Sequence, residues 1–309
     1  MTATGPGVAV PSFRSARRQA QYAVQRLRAT GIRRHDHKGD GRIHSLGTLR
    51  NYARSLERVA EWLATHRLGA LRDLTPELAC RYLTERAHQV GQSQLNADRQ
   101  ALAAHLEERL ERVPSEAERA DRLAERGRAY TPEQVALVRA YQPLHHALAT
   151  EIAQVAGLRA HELLTLRRVE EQPAAGHRTW RDDRFQGREG VRYTVQGKGG
   201  LVREVCLPED LAARLEAVRL NTPQRVTDRG IHYQQHYRIG GGQAWSQSFS
   251  DASCTALGWS TGAHGLRHGY AQTRMEELQA CGYRYSDARE IVSQELGHFR
   301  EDITEVYLR

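Results

Sequence analysis

The chain has 309 residues, of which 45 are Lys or Arg and 37 are Asp or Glu, so its net charge at neutral pH is +8. This length favours about two domains with cores of their own, and the excess positive charge favours an anionic partner, most often nucleic acid. The four cysteines lie far apart without a Cys-x-x-Cys pair, and no stretch resembles a membrane span or a signal peptide. We therefore expect a soluble cytoplasmic protein, associated with the nucleoid, without a disulfide framework or a zinc site.

Residues 1–44 are predicted to form a basic arm. Nine Arg or Lys residues and two acidic residues lie between positions 13 and 42, and apolar side chains recur at helical spacing from Phe13 to Leu27. The arm is expected to contact DNA or another subunit, and the alternative is a solvated tail. The candidate DNA-binding residues of the arm are Arg14, Arg17, Arg18, Arg33 and Arg34.

Residues 45–112 are predicted to form a compact helical domain. Apolar residues from Leu49 to Leu63 follow the spacing of a buried helical stripe, and Thr75-Pro76-Glu77 is typical of a helix start. A third helix is expected over 95–110, and Arg50 is a further candidate DNA contact. Residues 113–130 indicate a linker, and the capping pattern from Thr131 to Gln134 begins a second domain, 131–309.

In this second domain, helices are predicted over 135–148 and 151–166, with breaks near Pro143 and at Gly157. Alternating apolar residues on either side of Gly197-Lys198-Gly199-Gly200 predict a β-hairpin with Lys198 at its tip. Residues 221–262 are polar and turn-rich, and no element is assigned there. Helices are expected over 265–279 and 286–296, with Gly297 ending the second and exposing His298.

Groups able to cleave a phosphodiester occur along this domain. A phenol such as Tyr307, with an ordinary pKa near 10, is a poor nucleophile at neutral pH, so it needs help. Two guanidiniums, Arg159 and Arg267, could hold the nonbridging oxygens of one phosphate as charge develops. Lysine occurs only at Lys38 and Lys198, which leaves 43 of the 45 basic residues as arginine. Because an ammonium can donate a proton and a guanidinium stays protonated, Lys198 is the candidate acid for the leaving oxygen.

Five short motifs that carry these groups resemble, in their order, the tyrosine recombinase or phage integrase family. They are Gly157-Leu158-Arg159-Ala160-His161-Glu162, Gly197-Lys198-Gly199, His264-Gly265-Leu266-Arg267-His268, Leu296-Gly297-His298 and Thr304-Glu305-Val306-Tyr307. The resemblance implies a mainly α fold with a small β-hairpin or sheet, in which a helical core-binding domain that clamps DNA precedes an α+β catalytic domain. The implied catalytic residues are Arg159, Lys198, His264, Arg267, His298 and Tyr307.

The resemblance also implies a role for each group. Tyr307 attacks a DNA phosphate, forming a 3′-phosphotyrosyl bond, and Lys198 protonates the departing 5′ oxygen. His264 accepts or orients the tyrosine proton, whereas His298 donates a hydrogen bond to a phosphate oxygen. Glu162 is expected to steady the catalytic cations, and His268 to pack beneath the active site. No cofactor is expected. His264 and His268 have the spacing of zinc ligands on a helix, but no metal is expected there, because no third ligand is evident.

The expected partners are double-stranded DNA recombination sites and other copies of the chain in a homo-tetramer, with an accessory DNA-bending protein as a further possible partner. Only two residues follow Tyr307, whereas family members commonly carry a further segment that docks on a neighbour, so the mode of assembly is open. Two alternatives use the same fold. One is a type IB topoisomerase that relaxes supercoils, and the other is a DNA-binding regulator without catalytic activity, against which the six filled positions argue.

Overall fold

The computed structural model of the protein describes residues 15–30, 41–117 and 127–308, apart from the side chains of Lys198 and Glu301. Candidate residues Arg14, Arg33 and Arg34 lie outside these ranges. The chain divides into two compact units, residues 1–126 and 127–309. The mainly α architecture with small antiparallel sheets, predicted from the sequence, is confirmed. The finer domain bounds at 44, 112 and 130 stay predictions.

The first unit is helical, and side-chain oxygens begin three of its helices. Ser15, Ser45 and Thr75 each accept a hydrogen bond from the backbone amide three residues later, which satisfies an N–H group that has no partner within the helix. The helices are α1 (Ala16–Arg26), α2 (Leu46–Thr65), α3 (Pro76–Ala87) and α4 (Gln92–Leu106), with a 3-10 turn at Leu71–Asp73.

The core of this unit includes side chains from each of these helices. Leu56 and Leu63 of α2 pack with Leu83 of α3 and Leu102 of α4, and all four are fully buried. Helix α1 adds Ala20, Ala23 and Val24 to the same core. The described part of the predicted arm is therefore packed on the helical unit, and its Arg17 and Arg18 side chains remain exposed.

The second unit contains helices and two antiparallel sheets. Its helices are α5 (Pro132–Ala140), α6 (Leu144–Ala156), α7 (Glu209–Glu216), α8 (Gly242–Leu257), α9 (Gly265–Ala280), α10 (Tyr285–Glu295) and α11 (Glu301–Glu305). Its strands are β1 (Arg167–Arg168), β2 (Val191–Gln196), β3 (Val202–Leu207), β4 (Arg219–Asp228) and β5 (Ile231–Tyr237). A capping box at Thr131 begins α5, as the sequence predicts.

The predicted hairpin around Lys198 is confirmed. Strands β2 and β3 pair antiparallel from Val191 opposite Leu207 to Gln196 opposite Val202, and the turn between them contains residues 198–200. Strand β1 extends this sheet alongside β2. The main core of the unit forms where Val195 and Val205 of the sheet pack with Ile152 of α6 and Trp245 of α8.

The breaks predicted near Pro143 and at Gly157 are confirmed, since one helix ends at Ala140 and the next at Ala156. The helix predicted beyond Gly157, up to residue 166, is wrong, because Glu162–Thr165 forms only a 3-10 turn. The interval 221–262, to which the sequence assigns no element, contains most of the β4–β5 hairpin and the 16-residue helix α8. None of the helices in the described parts of the chain is long and apolar enough to cross a membrane.

Candidate active site

A fully buried carboxylate, Glu162, joins three guanidiniums. Arg159 donates from Nη1 to Oε1 at 2.6 Å and from its backbone amide to Oε2 at 2.9 Å. Arg203 donates from Nη2 to Oε2 at 2.8 Å, and Nη1 of Arg267 lies 3.9 Å from the same oxygen. Arg203 and Arg267 are themselves buried, whereas about a fifth of the Arg159 side chain, 22%, is exposed. Arg159 can therefore reach a ligand from the surface.

The end of helix α6 makes this arrangement possible. Gly157 ends the helix with φ +59°, and a Cβ at this position would lie 2.7 Å from the Tyr270 ring and 2.9 Å from Leu296. The chain then turns, so that Arg159 and Glu162 meet three residues apart. The carbonyl of Gly157 also accepts hydrogen bonds from Arg267 and, at 3.5 Å, from Arg203. A side chain at position 157 would disturb both the turn and the guanidiniums.

Arg267, in the first turn of α9, is held from several sides. Its guanidinium donates to the carbonyls of Gly157 and Leu296, and its Nη2 lies 3.0 Å from Nε2 of His298. A guanidinium has only donors, so this Nε2 must accept the hydrogen bond and the neutral imidazole carries its proton on Nδ1. For His298 to donate from Nε2 to a phosphate, the ring must change tautomer or gain a proton when the phosphate displaces this bond.

Tyr307 lies beside the guanidinium cluster and is almost buried, with 8% of its surface exposed. Its ring centre is 4.7 Å from that of His268, 5.0 Å from His298 and 5.4 Å from His264, and the Arg267 guanidinium lies 5.5 Å from it. Ile303 and Leu308, on either side of it in the chain, pack on the core formed by α9 and α10. The phenol therefore reaches the arginine cluster of its own chain.

The charges in this cluster do not balance. Burial alone would raise the pKa of Glu162, but the charges of Arg203, Arg267 and Arg159 outweigh burial and hold that pKa well below its usual range. Burial, followed by the neighbouring charge of Arg159, lowers the pKa of Arg267 to about 9. At neutral pH three cations therefore share a single carboxylate, which leaves a surplus of positive charge for an anion.

His298 and His264, two of the three histidines beside Tyr307, are neutral at pH 7. Burial, followed by the charges of Arg267 and Arg159, lowers the pKa of His298 to about 3. Although part of His264 reaches solvent, burial of its remainder and the charge of Arg267 lower its pKa to about 4. His264 stands at the start of α9, immediately before the first helical residue, so its unprotonated ring is available beside the phenol.

The turn of the β2–β3 hairpin lies next to the same cluster. A Cβ built on Gly197 would lie 3.2 Å from Oε1 of Glu162 and 3.8 Å from Nη1 of Arg159. The backbone amide of Gln196 also donates to Thr165, three residues after Glu162. Lys198 directly follows Gly197, so its backbone begins at the edge of the site, and its side chain lies outside the described atoms.

Sequence reasoning missed Arg203. It lies on β3 at an inward position, since Arg203, Val205 and Leu207 alternate along one buried face. Its Nη1 donates to the carbonyl of Glu295 at 2.6 Å while its Nη2 bonds Glu162, so it ties the carboxylate to the end of α10. A charged residue in the apolar alternation of a strand was the available signal, because buried charges are normally paired.

The structure brings together Arg159, Glu162, His264, Arg267, His268, His298 and Tyr307, and it places the Lys198 backbone beside them. His268 is buried against the Tyr307 ring. The described candidates for DNA contact, Arg17, Arg18 and Arg50, belong to the first unit; Arg17 and Arg18 are exposed, and Arg50 is half-buried.

No family model matches the sequence, and no curated protein matches it. Several solved structures share its fold. A XerH site-specific recombinase in a post-cleavage complex with palindromic difH substrate is 15% identical, over 95% of this chain and 90% of that one, with a TM-score of 0.55.

An integrase of the Tn1549 transposon, in complex with circular intermediate DNA, is 16% identical over 94% of each chain, with a TM-score of 0.52. A lambda integrase tetramer bound to a Holliday junction is 16% identical over 94% of this chain and 76% of that one, with a TM-score of 0.53. These likenesses show that the chain has the fold of the tyrosine recombinases.

Proposed function

We propose that the protein is a tyrosine-type site-specific recombinase, or integrase, that cleaves and rejoins DNA through a 3′-phosphotyrosyl intermediate. The observation that carries this proposal is the group of three guanidiniums around one carboxylate, Glu162, with the phenol of Tyr307 against it. Such a surplus of positive charge suits a phosphodiester, and the neighbouring phenol is the nucleophile it would meet.

Arg159 and Arg267 bind the two nonbridging oxygens of the phosphate. As Tyr307 attacks, negative charge grows on these oxygens, and guanidiniums already fixed by Glu162 and by backbone carbonyls stabilise it without having to reorganise. Glu162 and Arg203 act through the other two arginines, because they bond each other and Arg203 also bonds the carbonyl of Glu295, so both hold the guanidinium cluster in place.

His264 accepts the phenol proton as the bond between the Tyr307 oxygen and phosphorus forms. Its lowered pKa keeps the ring unprotonated at neutral pH and able to receive a proton. The bond from phosphorus to the 5′ oxygen then breaks, and Lys198 supplies the proton for that oxygen from the tip of its hairpin. The products are a 3′-phosphotyrosyl enzyme and a 5′-hydroxyl. Attack by a second 5′-hydroxyl reverses the steps and rejoins the strand.

Recombination sites in duplex DNA are the proposed substrate, and a homo-tetramer is the proposed assembly. Two findings support this: the similar XerH, Tn1549 and lambda structures were all solved on DNA, and the lambda structure is a tetramer on a Holliday junction. An accessory DNA-bending protein and a location on the nucleoid are proposed on the resemblance alone. The covalent link preserves the energy of the broken phosphodiester, so the cycle requires neither ATP nor a metal.

A suicide-substrate experiment tests the nucleophile. Nicked duplexes made from the DNA that flanks the gene should trap a protein–DNA adduct that survives denaturation, since the short cleaved strand diffuses away. Tyr307→Phe should abolish the adduct, whereas Tyr285→Phe, at an exposed tyrosine of α10, should leave its yield unchanged. Equal yields from Tyr307→Phe and the parent protein would refute the assignment.

The same reagents separate the two alternatives. A DNA-binding regulator would retain its duplexes without forming any adduct. A type IB topoisomerase would form the adduct and relax supercoiled plasmids of any sequence, whereas a recombinase should exchange strands only between paired sites.

A further inference from the structure

The β4–β5 hairpin, residues 219–237, forms a ribbon with two different faces. Among the described residues its two strands make a sheet of their own, in which directly opposed residues share a face. Gln224 opposes Gln235, and Asp228 opposes Ile231. Gln235 and Asp228 are buried, so this is the inner face. The outer face consists of two exposed pairs, Arg225 opposite Gln234 and Thr227 opposite His232.

The inner face fixes the ribbon to the catalytic unit. Gln235 donates to the carbonyl of Ile239 at 2.7 Å, and Asp228 accepts a hydrogen bond at 2.8 Å from the amide of Gln243, in the first turn of α8. Tyr237, at the end of β5, is buried in the main core and donates to Glu216 at 2.9 Å. The outer face is therefore presented in a fixed orientation.

The turn end of the ribbon lies near Arg159. Gly242, one residue before Gln243, donates to the carbonyl of Ala160 at 2.7 Å, and Ala160 is the neighbour of Arg159. The pKa of His161 is lowered by burial, and the charges of Arg229 and Asp228 at the ribbon turn also act on it. A duplex whose phosphate is bound by Arg159 would therefore pass beside the ribbon.

The chemistry of the outer face suits base edges. Asp228 is the single acid between positions 219 and 238, and it faces inward, where it pairs with Arg229. Within the described parts of the chain, neither Arg225 nor Arg238 forms an ion pair, and both are exposed. Arginine recognises O6 and N7 of guanine, glutamine recognises N6 and N7 of adenine, and the major groove admits a two-stranded ribbon.

We propose that the outer face of the β4–β5 ribbon enters the major groove beside the cleaved phosphate and reads base edges there, mainly through Arg225 and Gln234. This inference rests on the proposed function, which supplies the DNA. It assigns part of the sequence specificity to an element distinct from both the Lys198 hairpin and the helical unit.

A binding selection tests the ribbon without requiring cleavage. Tyr307→Phe protein, and the same protein carrying Arg225→Ala and Gln234→Ala, would each select duplexes from a library built on the flanking DNA and randomised around the cleavage position. The ribbon variant should lose its preference at one or two adjacent positions, by roughly 5- to 150-fold for each bidentate contact removed, and retain its preference elsewhere. Arg284→Ala, which removes an exposed arginine just before α10, is the charge-matched control and should select the same sequences as its parent.

Two outcomes would overturn the inference. Unchanged base preferences in the ribbon variant would show that the outer face does not read DNA. An equal loss of affinity for all sequences would show contact with phosphates alone. If the wild-type protein forms no covalent adduct while the ribbon variant loses its base preference, strand cleavage is refuted and the ribbon assignment stands.

Discussion

Glu162 is the residue on which the guanidinium cluster depends, because it supplies the carboxylate shared by Arg159, Arg203 and Arg267. Its removal would leave three cations close together, two of them fully buried. Arg203 in turn depends on Glu162, because it is a buried cation that bonds Glu162 and the end of α10. The two residues should therefore be strongly coupled in the stability of the fold.

A double-mutant cycle measures this coupling. Glu162→Gln should lower the free energy of unfolding by about 3–5 kcal/mol, the usual cost of leaving a buried charge without its partner. Adding Arg203→Met to that variant removes one of the unbalanced cations and should restore part of the loss. Urea unfolding gives the free energy of unfolding of the parent, of Glu162→Gln, of Arg203→Met and of the double variant. The exposed Glu189→Gln is the control, for which the change should be near zero. A double variant no more stable than Glu162→Gln would contradict the shared-charge account.

The neutral histidines predict a pH dependence of stability. Unfolded histidine has a pKa near 6.5, whereas His298 has a folded pKa of about 3 and His264 of about 4. Between these values the unfolded chain binds protons that the folded chain does not. The stability that these two neutral histidines contribute is therefore fully present above about pH 6.5. It is lost as the pH falls towards 4 for His264 and towards 3 for His298.

His298→Gln should make this loss shallower. The measurement is the free energy of unfolding in urea at pH 7.5, 6.0 and 5.0, for the variant and for the parent protein. His88→Gln, which changes an exposed histidine in the other unit, should leave the slope as it is. A His298→Gln slope identical to that of the parent would mean that His298 is protonated in the folded state.

At the scale of elements, periodicity predicted those that alternate or repeat clearly. The β2–β3 hairpin and helices α9 and α10 were recognisable for this reason. Strand β4 was not, because Asn221, Thr222 and Pro223 break any alternation and the pairing shifts register between Arg219 and Gln224. Helix α8 begins in a run of glycines, which conceals the helical spacing of its buried Trp245, Phe249 and Ala252.

The catalytic candidates were easier to identify than the elements that carry them. Arg159 and Glu162 were expected on a helix, and they instead lie beyond its end, where the positive φ of Gly157 turns the chain. Motif order identifies the reacting groups, but no motif marks the buried partner Arg203. Its place in the alternation of β3 indicates that it faces inward, whereas its contact with Glu162 depends on tertiary packing.

The turn at Gly157 supplies a prediction with an internal control. Gly157→Ala places a Cβ both in the left-handed region and against Tyr270, so it should destabilise the protein by more than the roughly 1–2 kcal/mol of the backbone strain alone. Gly258 ends α8 at φ +78°, and a Cβ built there would have no atom of another part of the chain within 4 Å. Gly258→Ala should therefore show the strain alone. Urea unfolding compares the two. Equal losses would mean that the packing around Gly157 yields to the new methyl group.

At the scale of the whole molecule, the net charge of +8 should appear in the salt dependence of DNA binding. Deleting residues 1–44 would remove Ala20, Ala23 and Val24 from the first core, so point changes are the cleaner test. Arg17→Ala with Arg18→Ala on exposed positions of α1 should flatten the slope of log affinity against log salt by up to about 1.8, since each phosphate contact contributes about 0.9. Cleavage of a pre-bound suicide duplex should persist.

Arg72→Ala with Arg67→Ala, at exposed positions elsewhere in the first unit, provides the charge-matched comparison for the salt slope. A slope that changes equally in both double variants would show only the general effect of net charge. An unchanged slope in the α1 double variant would show that α1 packs on the first unit without contacting phosphate.

The imbalance of three guanidiniums against one carboxylate prepares the site to bind a phosphate but lowers the thermal stability of the protein. Without DNA, the folded protein keeps mutually repelling cations around a single carboxylate. Replacing one of them by an apolar side chain of similar size would relieve this repulsion and leave Glu162 paired with the other two. Laboratory evolution that rewarded heat resistance alone should therefore replace one of Arg159, Arg203 and Arg267 early. The same lineage would stay folded as it lost the capacity to break a strand.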